Sequence, residues 1–382
     1  MRLYLYMLIC AVCIAFGSCA KDEALNGEDN NALSLADEDE DNFSGTITDE
    51  YVYKLPVIFH VLYADKNDIT QYVEPARLQT IINRVNDLYQ GNIYGESEAL
   101  NVQFVLANYD EKGNRLKNPG VDYVQWTGSY PIDVDAFMKD ETKKYAKYLW
   151  EPNDYINIFL YHFKQPEIAN ASITLGISHL PYVIKGDSTL EGVNEISTSS
   201  LTKANLTFPY GTSINSTYIN KESSRYTQAD KGKNGFNYDS RDINLTLAHE
   251  LGHYLGLHHV FTDKDGEPVD SCGDTDYCKD TPSYNKVEYD DFVKGYLAGT
   301  SDNNPDANVL IRRTNCSNEQ FRSTNIMDYA VGLGYQFTAD QKARVRQVLY
   351  YSPLIPGPKK NRTTRPTRAV EGIVKLPINT VK

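Results

Sequence analysis

Residues Lys54 to Tyr63 (KLPVIFHVLY) form an almost unbroken apolar run rich in β-branched and aromatic side chains, the pattern of a strand covered on both faces. After a polar turn, Leu78, Ile81, Ile82, Val85 and Leu88 recur at helical spacing and predict an amphipathic helix packed on that strand. Asn101 to Ala107 and Tyr155 to Phe163 repeat the strand pattern, with a helix expected around Val134 to Tyr148 between them. His60 and His162 lie inside these strand patterns and are read as ordinary strand histidines. The order β, α, β, α, β predicts a twisted α/β sheet with helices packed on it. Ser197 to Asn244 then breaks the rhythm: it is rich in Ser, Thr, Asn and Gly, and reads as a long loop-dominated segment. A further helix follows, with Asp242 or Asn244 able to cap its start, Leu245, Leu247, Leu251 and Leu255 as apolar surface, and Gly256 as its end. No internal repeat interrupts this series.

Both ends depart from the globular pattern. One Arg precedes an apolar run that ends in Gly17 and Ser18, so residues 1–18 are expected to be a secretory signal and the protein to leave the cytoplasm. Cys19 follows those two small residues and resembles the cysteine of bacterial lipoproteins that becomes the lipid-modified N-terminus, although Phe16 stands where Leu is usual. Ala20-Lys21-Asp22-Glu23 is similar to the short signal of surface-exposed lipoproteins in the Bacteroidetes. That resemblance implies an outer-membrane lipoprotein of a bacterial cell envelope, held to the membrane by an anchor at Cys19. Residues 19–50, with the acidic run Asp37 to Asp41, have the composition of a disordered tether. Residues 51–352 are expected to be the folded domain, with an N-terminal part to about 256 and a C-terminal part from about 257. Residues 353–382 read as a loose, basic, Pro-rich tail in which Ile373 to Val381 could add an edge strand.

The composition narrows the partners. At 382 residues, with 41% hydrophobic and 23% charged positions, the chain can bury a sizeable core. Its net charge of -13, with no basic stripe in the middle of the chain, excludes nucleic acid as an expected partner. With residues 1–18 removed and Cys19 lipidated, Cys272, Cys278 and Cys316 remain in a compartment that permits disulfides, and three cysteines allow at most one bridge.

The chemistry gathers in HELGHYLGLHHVF, residues 249–261. His249 and His253 are four apart, so on a helix two imidazoles project from one face and can grip one metal ion. Glu250 is placed to reach a water at that metal without binding the ion, the position of a general base. This three-residue pattern alone arises by chance in roughly one chain in a hundred of this length. A catalytic zinc also needs a third protein ligand, and Gly256 can enter the left-handed conformation that turns the chain back toward the ion. His258 and His259 both follow that turn, and neighbouring residues of an extended segment point to opposite sides. Spacing does not choose between them.

The whole string His249-Glu250-x-x-His253-x-x-Gly256-x-x-His259 resembles the signature of metzincin proteases, which makes His259 the third ligand and leaves His258 off the metal. Asn325-Ile326-Met327-Asp328-Tyr329 is similar to the Met-containing turn of that group. The resemblance implies that Met327 forms the apolar base under the three imidazoles and that Tyr329 donates a hydrogen bond to the oxyanion. Leu55 to Leu62, Gly256-Leu257-x-His259-x-Phe261, Asp280-Thr281-Pro282 and Phe337-Thr338-x-x-Gln341-x-x-Arg344 look in particular like the pappalysin branch. With the lipoprotein signal, the chain is similar to zinc-dependent metalloproteinase lipoproteins of the Bacteroidales. The implied fold is a zincin-like α/β (α+β) metzincin: a twisted mixed sheet with the active-site helix, then a smaller irregular C-terminal part with the Met-turn and a terminal helix. The implied activity is zinc-dependent hydrolysis of peptide bonds in protein or peptide substrates, with one catalytic Zn²⁺ and Glu250 as general base.

The same resemblance implies a Cys272–Cys316 disulfide with Cys278 free, Cys278–Cys316 being the alternative. It also suggests calcium at the loop carrying Asp270, Asp274, Asp276 and Asp280, whose oxygen-rich composition suits that ion, although a solvated acidic turn reads the same. Ala330-Val331-Gly332-Leu333 follows Tyr329 where relatives that cleave before basic residues carry acidic ones, so an apolar preference is expected there. With residues 1–18 removed, no cysteine other than the presumed anchor is left upstream to block the zinc. Two rival readings remain: a catalytically silent, zinc-stabilised surface binding protein, to which the 29 tyrosines give some substance, and a zinc hydrolase of non-peptide amides.

Overall fold

The expected first strand is β1 (Tyr53–Tyr63), buried along nearly its whole length. Parallel neighbours pair its backbone on both edges, and of its side chains only Lys54 is exposed. The computed structural model describes residues 47–166, 173–186, 190–198, 200–226, 239–299, 305–329, 331–360 and 370–382. The expected signal, Cys19 and most of the tether therefore lie outside the described residues. Helix α1 (Pro75–Gln90) turns Leu78, Ile81, Ile82, Val85, Leu88 and Tyr89 inward, as its spacing predicts. Pro75 sits in its first turn, where a missing N–H breaks no helical bond. Strands β2 (Val102–Leu106) and β3 (Val121–Gln125) share one edge of β1, both parallel to it.

The helix expected over 134–148 is broken. Only α2 (Val134–Met138) and a single 3-10 turn, Ala146–Tyr148, are present. Between them the Asp140 carboxylate accepts the backbone N–H groups of Thr142 and Tyr145, and Lys143 adopts a left-handed φ of 66°. The Asp140 side chain thus takes donors that a continuous helix would use, and the helix stops.

Next come β4 (Ile156–Tyr161), β5 (Gly176–His179), the small parallel pair β6 (Tyr182–Ile184) and β7 (Asn194–Ile196), and β8 (Thr212–Asn215). Helix α3 (Ile243–Tyr254) follows, then the hairpin β9 (Asp263–Lys264) and β10 (Glu267–Pro268). Helices α4 (Lys286–Gly299) and α5 (Ala307–Leu310), the hairpin β11 (Arg312–Thr314) and β12 (Gln320–Arg322), α6 (Ala339–Tyr351) and β13 (Thr380–Val381) complete the described elements. The main sheet runs β13-β5-β8-β4-β1-β2, with β3 beside β2 on β1. β4 and β8 continue the parallel set, whereas β5 and β13 are antiparallel, so the sheet is mixed.

The segment expected to be loop-dominated supplies β8, a fully buried strand inside this sheet. Its Thr-Ser-Ile-Asn sequence carries no apolar alternation. Burial is tolerated because each polar group is bonded: Thr212 Oγ1 to Ser178 Oγ at 2.8 Å, and Ser213 Oγ from the Tyr161 hydroxyl at 3.1 Å. The C-terminal residues differ from expectation as well. Where described, they are packed and not loose: Leu354 and Ile355 are buried, Tyr53 donates to the Pro358 carbonyl, and β13 adds to β5. The possible edge strand over 373–381 is thus present but reduced to Thr380–Val381.

Candidate active site

Helix α3 is built as a support for the histidines. The Asp242 carboxylate caps it by accepting the N–H groups of Asn244 and Leu245, so of the two expected caps Asp242 is the one used. At the other end Gly256 has φ 90°, and a Cβ there would lie 2.6 Å from Val348 Cγ2 on α6. Arg344 of α6 donates to the Gly256 carbonyl from Nε and a terminal nitrogen, at 3.2 and 3.1 Å, and so fixes the turn. This is the reversal that returns the chain to the helix face.

His249, His253 and His259 then converge, all buried. His253 Nε2 lies 3.0 Å from His249 Nε2 and 3.1 Å from His259 Nε2. Each opposite ring nitrogen has its own acceptor: His249 Nδ1 the Ile326 carbonyl, His253 Nδ1 the Leu257 carbonyl, and His259 Nδ1 the Asp263 carboxylate, each at 2.8 Å. Nδ1 therefore carries the proton, and three Nε2 lone pairs face one another. Three lone pairs so close repel unless a cation sits among them. A tetrahedral zinc with bonds of about 2.0–2.1 Å needs ligand nitrogens about 3.3 Å apart, so the residues present fit that ion. Burial, with the neighbouring histidines adding to it at His253 and His259, holds the imidazoles below the ordinary histidine range, to about 4 for His249. They are poised to bind a metal and not a proton.

Glu250 is buried beside this group, and burial raises its carboxyl well above the usual range. Its Oε2 has no hydrogen-bond partner among the described residues. Gly176 of β5 abuts it so closely that a Cβ would stand 2.5 Å from Oε1. Met327 is fully buried under the helix, where a Cβ on Gly252 would fall 2.5 Å from its sulfur. The turn that carries Met327 is braced by a double hydrogen bond between Asn325 and Gln341, at 2.9 and 3.1 Å. Tyr329 packs its ring 4.3 Å from His259 and 5.7 Å from His249, while Phe261 stacks on His259 from another side. His258 lies outside the metal-capable group and rests edge-on against Tyr277.

The remaining expected residues separate. Cys272 and Cys316 form the disulfide and Cys278 is free and buried. The four aspartates of the expected calcium loop do not form a metal-capable cluster. Asp270 accepts from Asn285, Asp274 from the N–H of Tyr277, Asp276 from Cys278 and Thr281, and Asp280 from the N–H of Asp340. Among the described residues only the three histidines form a metal-capable cluster. The carboxylates act as acceptors for their own loop, which a solvated acidic turn also does. Two site residues escaped the sequence: Gly176, which no pattern marks, and Asp263, whose place four residues after His259 was a usable signal.

Residues 211–350 match the peptidase M43 family, described as pregnancy-associated plasma protein-A. Solved structures similar to this chain include mature mirolysin of Tannerella forsythia in complex with a cleaved peptide, at 19% identity over 77% of this chain and 90% of that one, TM-score 0.47. Mirolysin in complex with compound 9 matches at 20% identity over 78% and 91%, TM-score 0.46. A promirolysin variant from Tannerella forsythia matches at 19% identity over 83% and 84%, TM-score 0.47. No curated protein matches the chain. The M43 match runs from the start of β8 through α3 and the turn at Met327 into the last turn of α6, and over that stretch the chain is similar to the pappalysin-like metzincin metalloproteases.

Proposed function

We propose that the protein is a zinc endopeptidase that hydrolyses peptide bonds in proteins, and that lipid on Cys19 holds it at the surface of a bacterial outer membrane. The observation that carries the catalytic part is the convergence of three Nε2 atoms, each with its Nδ1 proton already bonded, beside a buried carboxylate with a free oxygen. His249, His253 and His259 would hold the ion. When bound, zinc supplies Lewis acidity and makes water a competent nucleophile at neutral pH. The residues of the chain do the rest. Glu250 takes the proton from the attacking water and returns it to the leaving amine. Tyr329, packed on two of the histidines, is within reach to donate its hydroxyl to the developing oxyanion. Ile326, Leu257 and Asp263 keep the imidazoles in one orientation and tautomer.

Glu250→Gln separates this reading from a zinc-stabilised binding protein. The variant is expected to keep one zinc per chain by atomic absorption and to lose casein cleavage by about 10²–10⁴-fold. Cleavage that persists, or a wild type that cuts no protein with zinc bound, overturns it. The envelope location is supported by Gly17-Ser18-Cys19 and the Lys-acid-acid sequence after it.

A further inference from the structure

We propose that residues 377–382 are a built-in peptide ligand of the active site, lying along β5 where an extended substrate would lie, with Asp135 selecting the basic side chain at Lys382. The inference rests on the peptidase reading of the site and adds its regulation and one element of its specificity. β13 runs antiparallel on β5, with Thr380 opposite His179 and Val381 opposite Ser178. Continued by one residue, that register brings Lys382 level with Ile177, one step short of Gly176, the residue in contact with the Glu250 carboxyl. A peptide extended along β5 in this register runs toward the Glu250 carboxyl.

The contacts are those of a bound strand. The Leu180 N–H donates to the Asn379 carbonyl at 2.9 Å, the Tyr182 hydroxyl to the Pro377 carbonyl at 2.6 Å, and Asn379 Nδ2 to Asn194 Oδ1 at 2.7 Å. Val381 is buried against Gly266, whose absent side chain leaves it room. Lys382 Nζ donates to Asp135 Oδ2 at 2.8 Å, at the start of α2, where Lys139 also pairs with Asp135 at 2.9 Å. A pair as exposed as this adds little affinity, but it discriminates sharply by sign, because a carboxylate in place of the ammonium would face Asp135. Main-chain bonds along a strand edge give binding that tolerates many sequences, and the side-chain pocket supplies selectivity. Because the ligand belongs to the same chain, its effective concentration is on the order of millimolar, so even a weak contact keeps the site filled until a substrate displaces it.

The test compares the zinc-loaded full chain with a form lacking residues 377–382, using a fluorescein-labelled LPINTVK peptide and casein. The labelled peptide is expected to bind the shortened form at least about tenfold more tightly than the full chain by anisotropy, and casein turnover to rise by a similar factor on shortening. An LPINTVE peptide is expected to bind the shortened form about tenfold more weakly than LPINTVK. Equal peptide binding or equal turnover in the two forms overturns the inference, as does equal binding of the two peptides. Should the shortened form melt early, Lys382→Glu in the full chain gives the same reading, since it keeps the segment and repels it from Asp135; unchanged turnover in that variant counts against the proposal. If neither form cleaves protein but LPINTVK still binds the shortened one selectively, the peptidase reading fails and the internal ligand stands.

Discussion

Gly176 sets how near the sheet comes to the reacting groups. Any side chain there meets the Glu250 carboxyl, since even a Cβ would stand 2.5 Å from Oε1. Gly176→Val is therefore expected to lower kcat/KM by about 10²-fold through displacement of the base, with zinc content unchanged. Loss of zinc, or undiminished activity, would show that the close approach does not position Glu250. Asp276 gives a prediction in pH. Burial chiefly, with Asp274 beside it, pushes its carboxyl up to about 7 against the partial relief of a Thr281 hydrogen bond. The folded state thus binds this proton more tightly than the unfolded chain, so the associated stability is complete below the ordinary carboxyl range and is lost as pH rises through about 7. Asp276→Asn should raise Tm relative to wild type at about pH 8 and leave it nearly unchanged at about pH 4. A calcium ion bound at Asp276 would reverse the sign at the higher pH, so the same melting curves examine that loop. His249, His253 and Glu250 were legible because helical spacing aligns them, and His259 was legible through the resemblance. Gly176 and Asp276 were not, because their roles come from neighbours far away in sequence or from burial.

The turn at Gly256 is where two elements depend on one residue. It needs a left-handed backbone, it leaves no room for a Cβ beside Val348, and its carbonyl takes two hydrogen bonds from Arg344. Gly256→Ala should cost about 1–3 kcal/mol, read as a lower urea midpoint with an unchanged m value. An unshifted midpoint would mean that α6 yields readily. Elements with a strong apolar period, β1 and α1, appear where the sequence places them. Those that fail do so for local reasons. Asp140 bonds to the backbone and stops the helix after Met138, and β8 is hidden by polar side chains that only their partners Ser178 and Tyr161 make tolerable inside a sheet.

At the scale of the whole molecule, the order β13-β5-β8-β4-β1-β2 carries the chain's last described residues to the same place as its middle. Helix α3 packs under β5 and β8, so the metal-capable face of the helix and the antiparallel end of the sheet meet at one cleft. Lipid attachment belongs to this scale too, since a tether would set the cleft off from a membrane. Cys19→Ser should move the protein from the detergent phase to the aqueous phase on Triton X-114 partitioning; a wild type already in the aqueous phase would rule out the anchor. No helix among the described residues is long and apolar enough to cross a membrane.

The sequence by itself determined the parts whose geometry is local. A helix with histidines four apart, a glycine that can turn back, and a third histidine three residues further on constrain one another through bonded neighbours. Resemblance, and not spacing, preferred His259 to His258, and the fold placed His259 with the other two. Everything that depends on which distant segments share a sheet was left to the tertiary structure: the polar strand β8, Gly176 against Glu250, and Thr380–Val381 paired with β5. Strand pairing is a contact between segments far apart in the chain, and hydrogen bonds between backbones carry no residue code from which such a partner could be read.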